Sequence, residues 1–177
     1  MSSTLAVSNG DQLHHVFVYG SLLADEVLKV LLNRIPASSS SSLSGFHRFS
    51  IAGRVYPAIT PAVGKKVSGK VLFHITNTEL GILDKFEDFE YLRKPVTVTL
   101  EGDVELVVFS YLWHNKEDPN LYGDVELVVF SYLWHNKEDP NLYGDWNYEE
   151  WRTKHMEDFL KMASVFKKDL TLPSTRA

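Results

Sequence analysis

Glu87 lies at helical spacing from Leu80 and Leu83, so a helix that buries those leucines turns this carboxylate toward the same apolar face. Partial desolvation disfavours the charged form. The negative end of the helix, with Asp84 and Asp88, pushes the same way, so its pKa is expected to rise. A carboxyl group that titrates near neutrality can take a proton and give it back. The same residues also fit a helix that simply ends at Glu87, leaving Glu87, Asp88 and Glu90 as a solvated acidic turn with Tyr91 and Arg93 beyond it as edge-strand or site-lining residues. A second candidate is the order of apolar strand, Gly20-Ser21 turn and helix start over Val16 to Ala24. The first amides of a helix lack internal partners and can receive a carboxylate. Read plainly, Gly20 need only permit the bend.

Other chemistries find little support. The chain has no cysteine, which removes disulfides, thiolate nucleophiles and cysteine-ligated zinc. His14, His15, His47, His74, His114, His135 and His155 include no His-Glu-x-x-His and no i, i+4 pair, so no metal is expected, and His155 is expected in the core. No Gly-x-Ser-x-Gly elbow is present to anchor a hydrolase triad. The net charge of −5 comes from mixed acidic and basic residues without a basic stripe, which argues against nucleic acid. Neither a targeting pattern in Met1–Gln12 nor a run of membrane-spanning length is evident, so no membrane partner and a cytoplasmic location are expected.

These residues must be positioned by a short series of elements. An apolar strand at His15 to Tyr19 is followed by a helix over Leu23 to Asn33, whose Val27, Leu28, Leu31 and Leu32 form one stripe. Ser38 to Ser42 read as a solvated loop. Two β segments, Phe46 to Ile51 and Val67 to Ile75, are expected on either side of Tyr56-Pro57-Ala58-Ile59 and a turn at Gly64. Thr76 and Glu79 form a capping box that opens a helix to about Asp88, and Val96 to Leu100 alternates as a half-buried strand. A long last helix capped by Asn147 should bury Tyr148, Trp151, His155, Phe159, Met162 and Phe166. A disordered N-terminus (1–14), one domain (15–168) and a frayed tail (169–177) complete the expected organisation.

Residues 102–122 recur without a change as 123–143, an identical tandem copy of 21 residues. Solenoid repeats occur in larger number and drift in sequence, so the underlying fold is that of the 177-residue chain less one copy, 156 residues. Only one of Val104–Trp113 and Val125–Trp134 can fill a given strand slot. Loop closure favours the first: displacing it costs roughly 2 kcal/mol in a lengthened hairpin, against roughly 1 kcal/mol for lengthening the connection to the last helix. The surplus copy should then fold back as an extra edge strand or pair between molecules, so that self-association is expected.

Three ordered segments carry a resemblance: Val16-Phe17-Val18-Tyr19-Gly20-Ser21-Leu22, Tyr56-Pro57-Ala58-Ile59, and Leu83-Asp84-x-Phe86-Glu87-Asp88-x-Glu90-Tyr91-x-Arg93-Lys94. Together they resemble the γ-glutamylcyclotransferase-like family, and the segments from Asp139 to Trp146 and from Glu149 to Met156 resemble its plant avirulence-induced branch. The resemblance implies an α+β fold, a small mixed β-barrel with flanking helices and a long C-terminal helix. It implies a γ-glutamyl small molecule held by Tyr19, Gly20, Ser21, Leu22, Leu23 and Ala24, with Glu87 as proton acceptor and donor. The implied reaction is an acyl transfer that closes 5-oxoproline, with no cofactor. A binding or regulatory protein that keeps the pocket without turnover is the alternative.

Overall fold

The computed structural model describes residues 12–101 and 125–171. Six strands are found among them: β1 His14–Val18, β2 Ser38–Ile51, β3 Ala58–Ile75, β4 Tyr91–Leu100, β5 Val125–Trp134 and β6 Leu142–Tyr143. The order β3-β1-β5-β4-β2 closes on itself through a β2–β3 pairing, which makes a five-stranded barrel with β6 added to β2. All neighbours are antiparallel except β1 and β5, where Val16 faces Phe130 and Phe17 faces Ser131. Four α-helices accompany them among the described residues: α1 Asp25–Leu32, α2 Asn77–Glu87, α3 Tyr148–Lys154 and α4 Met156–Thr171. Short 3₁₀ turns at Ser21–Leu23 and Asp88–Glu90 precede α1 and follow α2.

Alternation along β1 divides the core. Phe17 points into the barrel with Leu43, Ile59, Val71, Val98 and Val129, so that every barrel strand contributes to that cluster. Val16 and Val18 point out and are covered by Leu28 and Leu31 of α1, Leu80 and Leu83 of α2, and Phe159 of α4. A strand buried on both faces is a continuous apolar run, which is what His15 to Tyr19 shows. No helix among the described residues is long and apolar enough to cross a membrane.

Several local expectations hold. Thr76 Oγ1 accepts from the Glu79 amide at 3.1 Å and Glu79 Oε1 from the Thr76 amide at 3.0 Å, the reciprocal capping box. Asn147 Oδ1 accepts from the Glu150 amide at 2.8 Å. Others do not. Ser38 to Ser42 open strand β2 instead of forming a loop, pairing in turn with Leu72 through Ser68. Ser41 is fully buried. Strand pairing is made by backbone groups, and small side chains suit a place where strands crowd: a Cβ on the facing Gly69 would stand 2.2 Å from Val18 O. Gly64 lies inside β3 with φ +80°, where the register with β2 shifts, and is no terminating turn. The last helix is two helices, interrupted at His155, where φ −126° departs from helical geometry. The interruption turns His155 outward, contrary to the expected core position, while Trp151 and Phe159 remain buried with rings 5.4 Å apart.

The strand slot between β1 and β4 is filled by the second copy, Val125–Trp134, which overturns the loop-length expectation. The physical reason is the chain that follows β5. Trp134 Nε1 donates to Asp139 Oδ2 at 3.0 Å, and the Ala52 amide donates to Asn141 O at 2.8 Å. β6 pairs with Ser50 and Ile51, and Trp146 is buried with its Nε1 donating to Val55 O at 2.8 Å. This connection is packed, and only the second copy runs directly into Trp146. The surplus therefore falls between Leu100 and Val125, at the open end of the β4–β5 hairpin. The expected fold-back of the surplus copy lies outside the described residues, as do residues 1–11 of the N-terminus expected to be disordered over 1–14 and residues 172–177 of the tail expected to fray over 169–177; His14 already belongs to β1. Within them, α4 continues to Thr171.

Candidate functional site

A cavity of about 360 Å³ opens between one end of the barrel and helices α2 and α4. The end of β1 and the turn after it, Val18 to Leu22, form one wall, and the last turn of α2 with Glu87 forms another. Gly20 is required by contact. A Cβ there would stand 2.7 Å from Pro57 Cγ, and its φ of −130° is not in the left-handed region. Pro57 is fixed in turn by Tyr91, whose hydroxyl donates to Pro57 O at 2.7 Å. The two separated motifs, Tyr19-Gly20-Ser21 and Tyr56-Pro57, are thus one packed unit.

Of the candidate residues, Tyr19, Gly20, Ser21, Leu22 and Glu87 line the cavity. Leu23 and Ala24 do not. The Leu23 amide donates to Gly20 O at 2.9 Å and the Ala24 amide to Ser21 O at 3.1 Å, so both close the 3₁₀ turn instead of facing the space. Tyr19 is held at both ends: its hydroxyl donates to Tyr132 O, and its carbonyl accepts from Arg48 Nη1 at 2.8 Å. The Arg48 guanidinium lies 5.4 Å from the Trp146 ring centroid.

Glu87 ends helix α2 half-buried. Burial first, and then the negative charge of Glu90, push its carboxyl up to about 8. The neighbours named from sequence differ: Asp84 is turned to Tyr132, whose hydroxyl donates to it at 2.6 Å, and Asp88 is exposed. Glu90 is held by Arg54 and by Tyr56, whose hydroxyl donates to Glu90 Oε1 at 2.9 Å. Burial, and then the nearby Glu87 charge, raise Tyr19 well above its ordinary range, while burial and then Tyr19 do so for Tyr91. Both remain neutral hydrogen-bond donors around the cavity. Tyr91 is therefore site lining, whereas Arg93 lies outside the lining, 3.5 Å from Asp84 and with its guanidinium over Phe130.

A carboxyl group that titrates at about 8 beside a cavity can exchange a proton with a small molecule held there. Sequence reasoning missed Tyr132 and the Arg54–Tyr56–Glu90 cluster as contributors, and it set the aromatic face of the last helix aside as core. Phe159, Met162 and Phe166 line the cavity, and Met162 is 45% exposed. An exposed methionine on a stripe that also carries the buried Trp151 and Phe159 becomes visible only once helix and barrel are assembled. No group of three or more possible metal-ligating side chains is found among the described residues.

Residues 16–152 match the family model described as gamma-glutamyl cyclotransferase, AIG2-like. The chain is 50% identical over 165 residues to AIG2-like protein D of Arabidopsis thaliana, covering 92% of this chain and 95% of that one. A solution structure of another Arabidopsis thaliana protein, 35% identical, superposes with a TM-score of 0.61 and covers 94% of this chain and 99% of its own. The crystal structure of a yeast gamma-glutamyl cyclotransferase specific to glutathione, 12% identical, shares the fold with a TM-score of 0.52 over 92% of this chain and 99% of that one. The chain belongs to the gamma-glutamyl cyclotransferase, AIG2-like family.

Proposed function

We propose that the protein is a γ-glutamylcyclotransferase, an acyltransferase that converts a γ-glutamyl amide into 5-oxoproline and a free amine. The observation that carries this reading is Glu87: a carboxyl group pushed up to about 8, bordering a cavity whose opposite wall is the Gly20 turn. The turn receives the α-carboxylate of the glutamyl group and so places the α-nitrogen within reach of its own γ-carbonyl. Holding both ends of one molecule makes the attack intramolecular, which is worth about 7–11 kcal/mol of barrier in well-oriented systems.

Ionised Glu87 takes a proton from the α-ammonium, and the freed amine adds to the γ-carbonyl carbon. The bond between that carbon and the amide nitrogen then breaks. Glu87 returns its proton to the departing nitrogen, and the second proton shed by the attacking nitrogen reaches the released amine through solvent. Atoms and charge balance without an oxidant or co-substrate. Incubation with γ-glutamyl-amino acids, glutathione and γ-glutamyl-ε-lysine tests the proposal through the release of 5-oxoproline. Formation that depends on Glu87 supports it. Tight binding of these compounds without any 5-oxoproline would instead assign a binding or regulatory role to the same pocket.

A further inference from the structure

The cavity is chemically two-sided. Its deep part is made by Phe17 and Val18, both buried, next to the Gly20 turn. Its outer part is made by side chains that reach solvent, Phe86 of α2 with Met162 and Phe166 of α4. Phe86 meets Phe159 and Phe166 edge to face, with centroids 5.7 Å and 5.1 Å apart, so the rings are fixed in place as a wall. Among the described residues that line the cavity, Lys85 is the only cation, and it stands exposed on the same helix end as the exposed Asp88. Two further acidic groups line the cavity: Glu87, which follows Phe86 in the chain, and Glu90, which is engaged by Arg54.

A γ-glutamyl amide bound with its glutamyl end at the turn must lay its departing half along this outer wall. A carboxylate there would lose water against phenyl and thioether surface and, among the described lining residues, would find Lys85 as its one cation, set beside Asp88, with Glu87 and Glu90 also in the lining. An aromatic ring would find phenyl edges and a thioether, both favourable neighbours. We propose that the ligand of this site is the γ-glutamyl amide of an arylalkyl amine lacking a carboxylate, with Phe86, Met162 and Phe166 forming the subsite for the ring. The inference builds on the cyclotransferase reading and adds the identity of the departing amine.

The test compares γ-glutamyl-2-phenylethylamide, γ-glutamyl-hexylamide and γ-glutamyl-glycine, measuring 5-oxoproline release and, separately, calorimetric affinity with Glu87→Gln. The expected order of kcat/KM is phenylethylamide above hexylamide above γ-glutamyl-glycine, with about tenfold or more between first and last, the span a single apolar subsite provides. Met162→Lys, at a side chain already 45% exposed, should lower that ratio at least about fivefold by offering the glycine carboxylate a second cation besides Lys85. A chain merely destabilised by the change would lose activity on all three alike. Equal rates, or a preference for γ-glutamyl-glycine, would overturn the inference and leave the cyclotransferase reading intact. An unchanged ratio in Met162→Lys would also overturn it. Selective binding of the phenylethylamide without 5-oxoproline from any compound would uphold the ligand class and refute the catalytic reading. No turnover and no binding would refute both.

Discussion

Helix α2 carries two inward glutamates eight residues apart, and they stand in opposite electrostatic states. At Glu79, burial alone would raise the pKa. Hydrogen bonds from Arg34, with Nε at 2.6 Å and Nη2 at 2.7 Å, and from the Thr76 amide at 3.0 Å outweigh it, and the carboxyl is held below its ordinary value. At Glu87, burial acts with the charge of Glu90 and no donor among the described residues opposes it, so the carboxyl rises to about 8. Burial pushes both carboxyls up and is the largest influence at Glu87. What separates them is whether the fold brings donors to the oxygens: a carboxylate that is met is part of the structure, and one that is not remains open to a ligand's proton.

The largest effect should come from removing the proton acceptor. Glu87→Gln is expected to lower kcat for 5-oxoproline formation by at least about 10²–10³-fold while leaving fold and ligand binding nearly unchanged. Activity within tenfold of the parent would break the comparison at its functional end. A pH dependence accompanies it. The folded carboxyl titrates at about 8 and an ordinary one at 4.5, so between those values the unfolded chain releases a proton that the native state keeps. Stability from this group is therefore greatest at low pH and falls as pH rises through the window, by up to about 1.4 kcal/mol per pH unit. Thermal denaturation at pH 5 and pH 8 should show a larger loss in the parent than in Glu87→Gln; equal losses would contradict the raised pKa.

Glu79 should behave in the opposite sense. Glu79→Ala removes the capping box and strands Arg34, at a cost of about 3 kcal/mol measured by chemical denaturation, with activity per folded molecule kept. Because this carboxyl is depressed, its contribution is present above the ordinary value and is lost as pH falls through the folded pKa. Loss of turnover without loss of stability in Glu79→Ala would exchange the two roles. A smaller effect belongs to the wall facing Glu87. In Gly20→Val a branched Cβ meets Pro57 at 2.7 Å, so the turn must shift, and affinity for a γ-glutamyl amide should drop about tenfold or more in calorimetry. Unchanged affinity would remove the turn from the site.

Local chemistry was legible in the sequence and assembly was not. The Thr76–Glu79 box and the Asn147 cap involve residues three apart, and the Glu87 face follows from helical period, so one strand of text contains all that each requires. The resemblance to a known family supplied the barrel. The charge beside Glu87 was assigned to Asp84 and Asp88 because the turn that carries Glu90 back over the cavity is set by the Arg54–Tyr56 clamp from another element. Five serines read as a loop because side-chain polarity says nothing of backbone partners, which β3 and β4 provide. Leu23 and Ala24 were included with the turn because motif position cannot tell an amide that faces the cavity from one already used in a 3₁₀ bond.

The duplication gives the mildest test, because the surplus it adds enters the chain between Leu100 and Val125, at the other end of the β4–β5 hairpin from the cavity and Glu87. Tyr91 and Trp134 are paired at the cavity end of the β4–β5 hairpin, and Leu100 and Val125 at the end where the 24 residues 101–124 intervene. Deleting 102–122 joins Glu101 to Gly123 and leaves Glu101-Gly123-Asp124 as a three-residue connection, a length that hairpins commonly use with glycine. β5, the packed segment through Trp146 and the register with β1 are untouched by that deletion. Shortening the loop from 24 to 3 residues should stabilise the chain by up to about 2 kcal/mol through closure entropy alone. The pH responses of Glu79 and Glu87 should keep their opposite signs, and 5-oxoproline release should be unchanged. If self-association occurs in the parent, sedimentation should show it lost in the shortened chain. A 156-residue protein that fails to fold, or that loses ligand binding while the parent retains it, would mean that the first copy is integral to the barrel and that the second fills its slot only with the first in place.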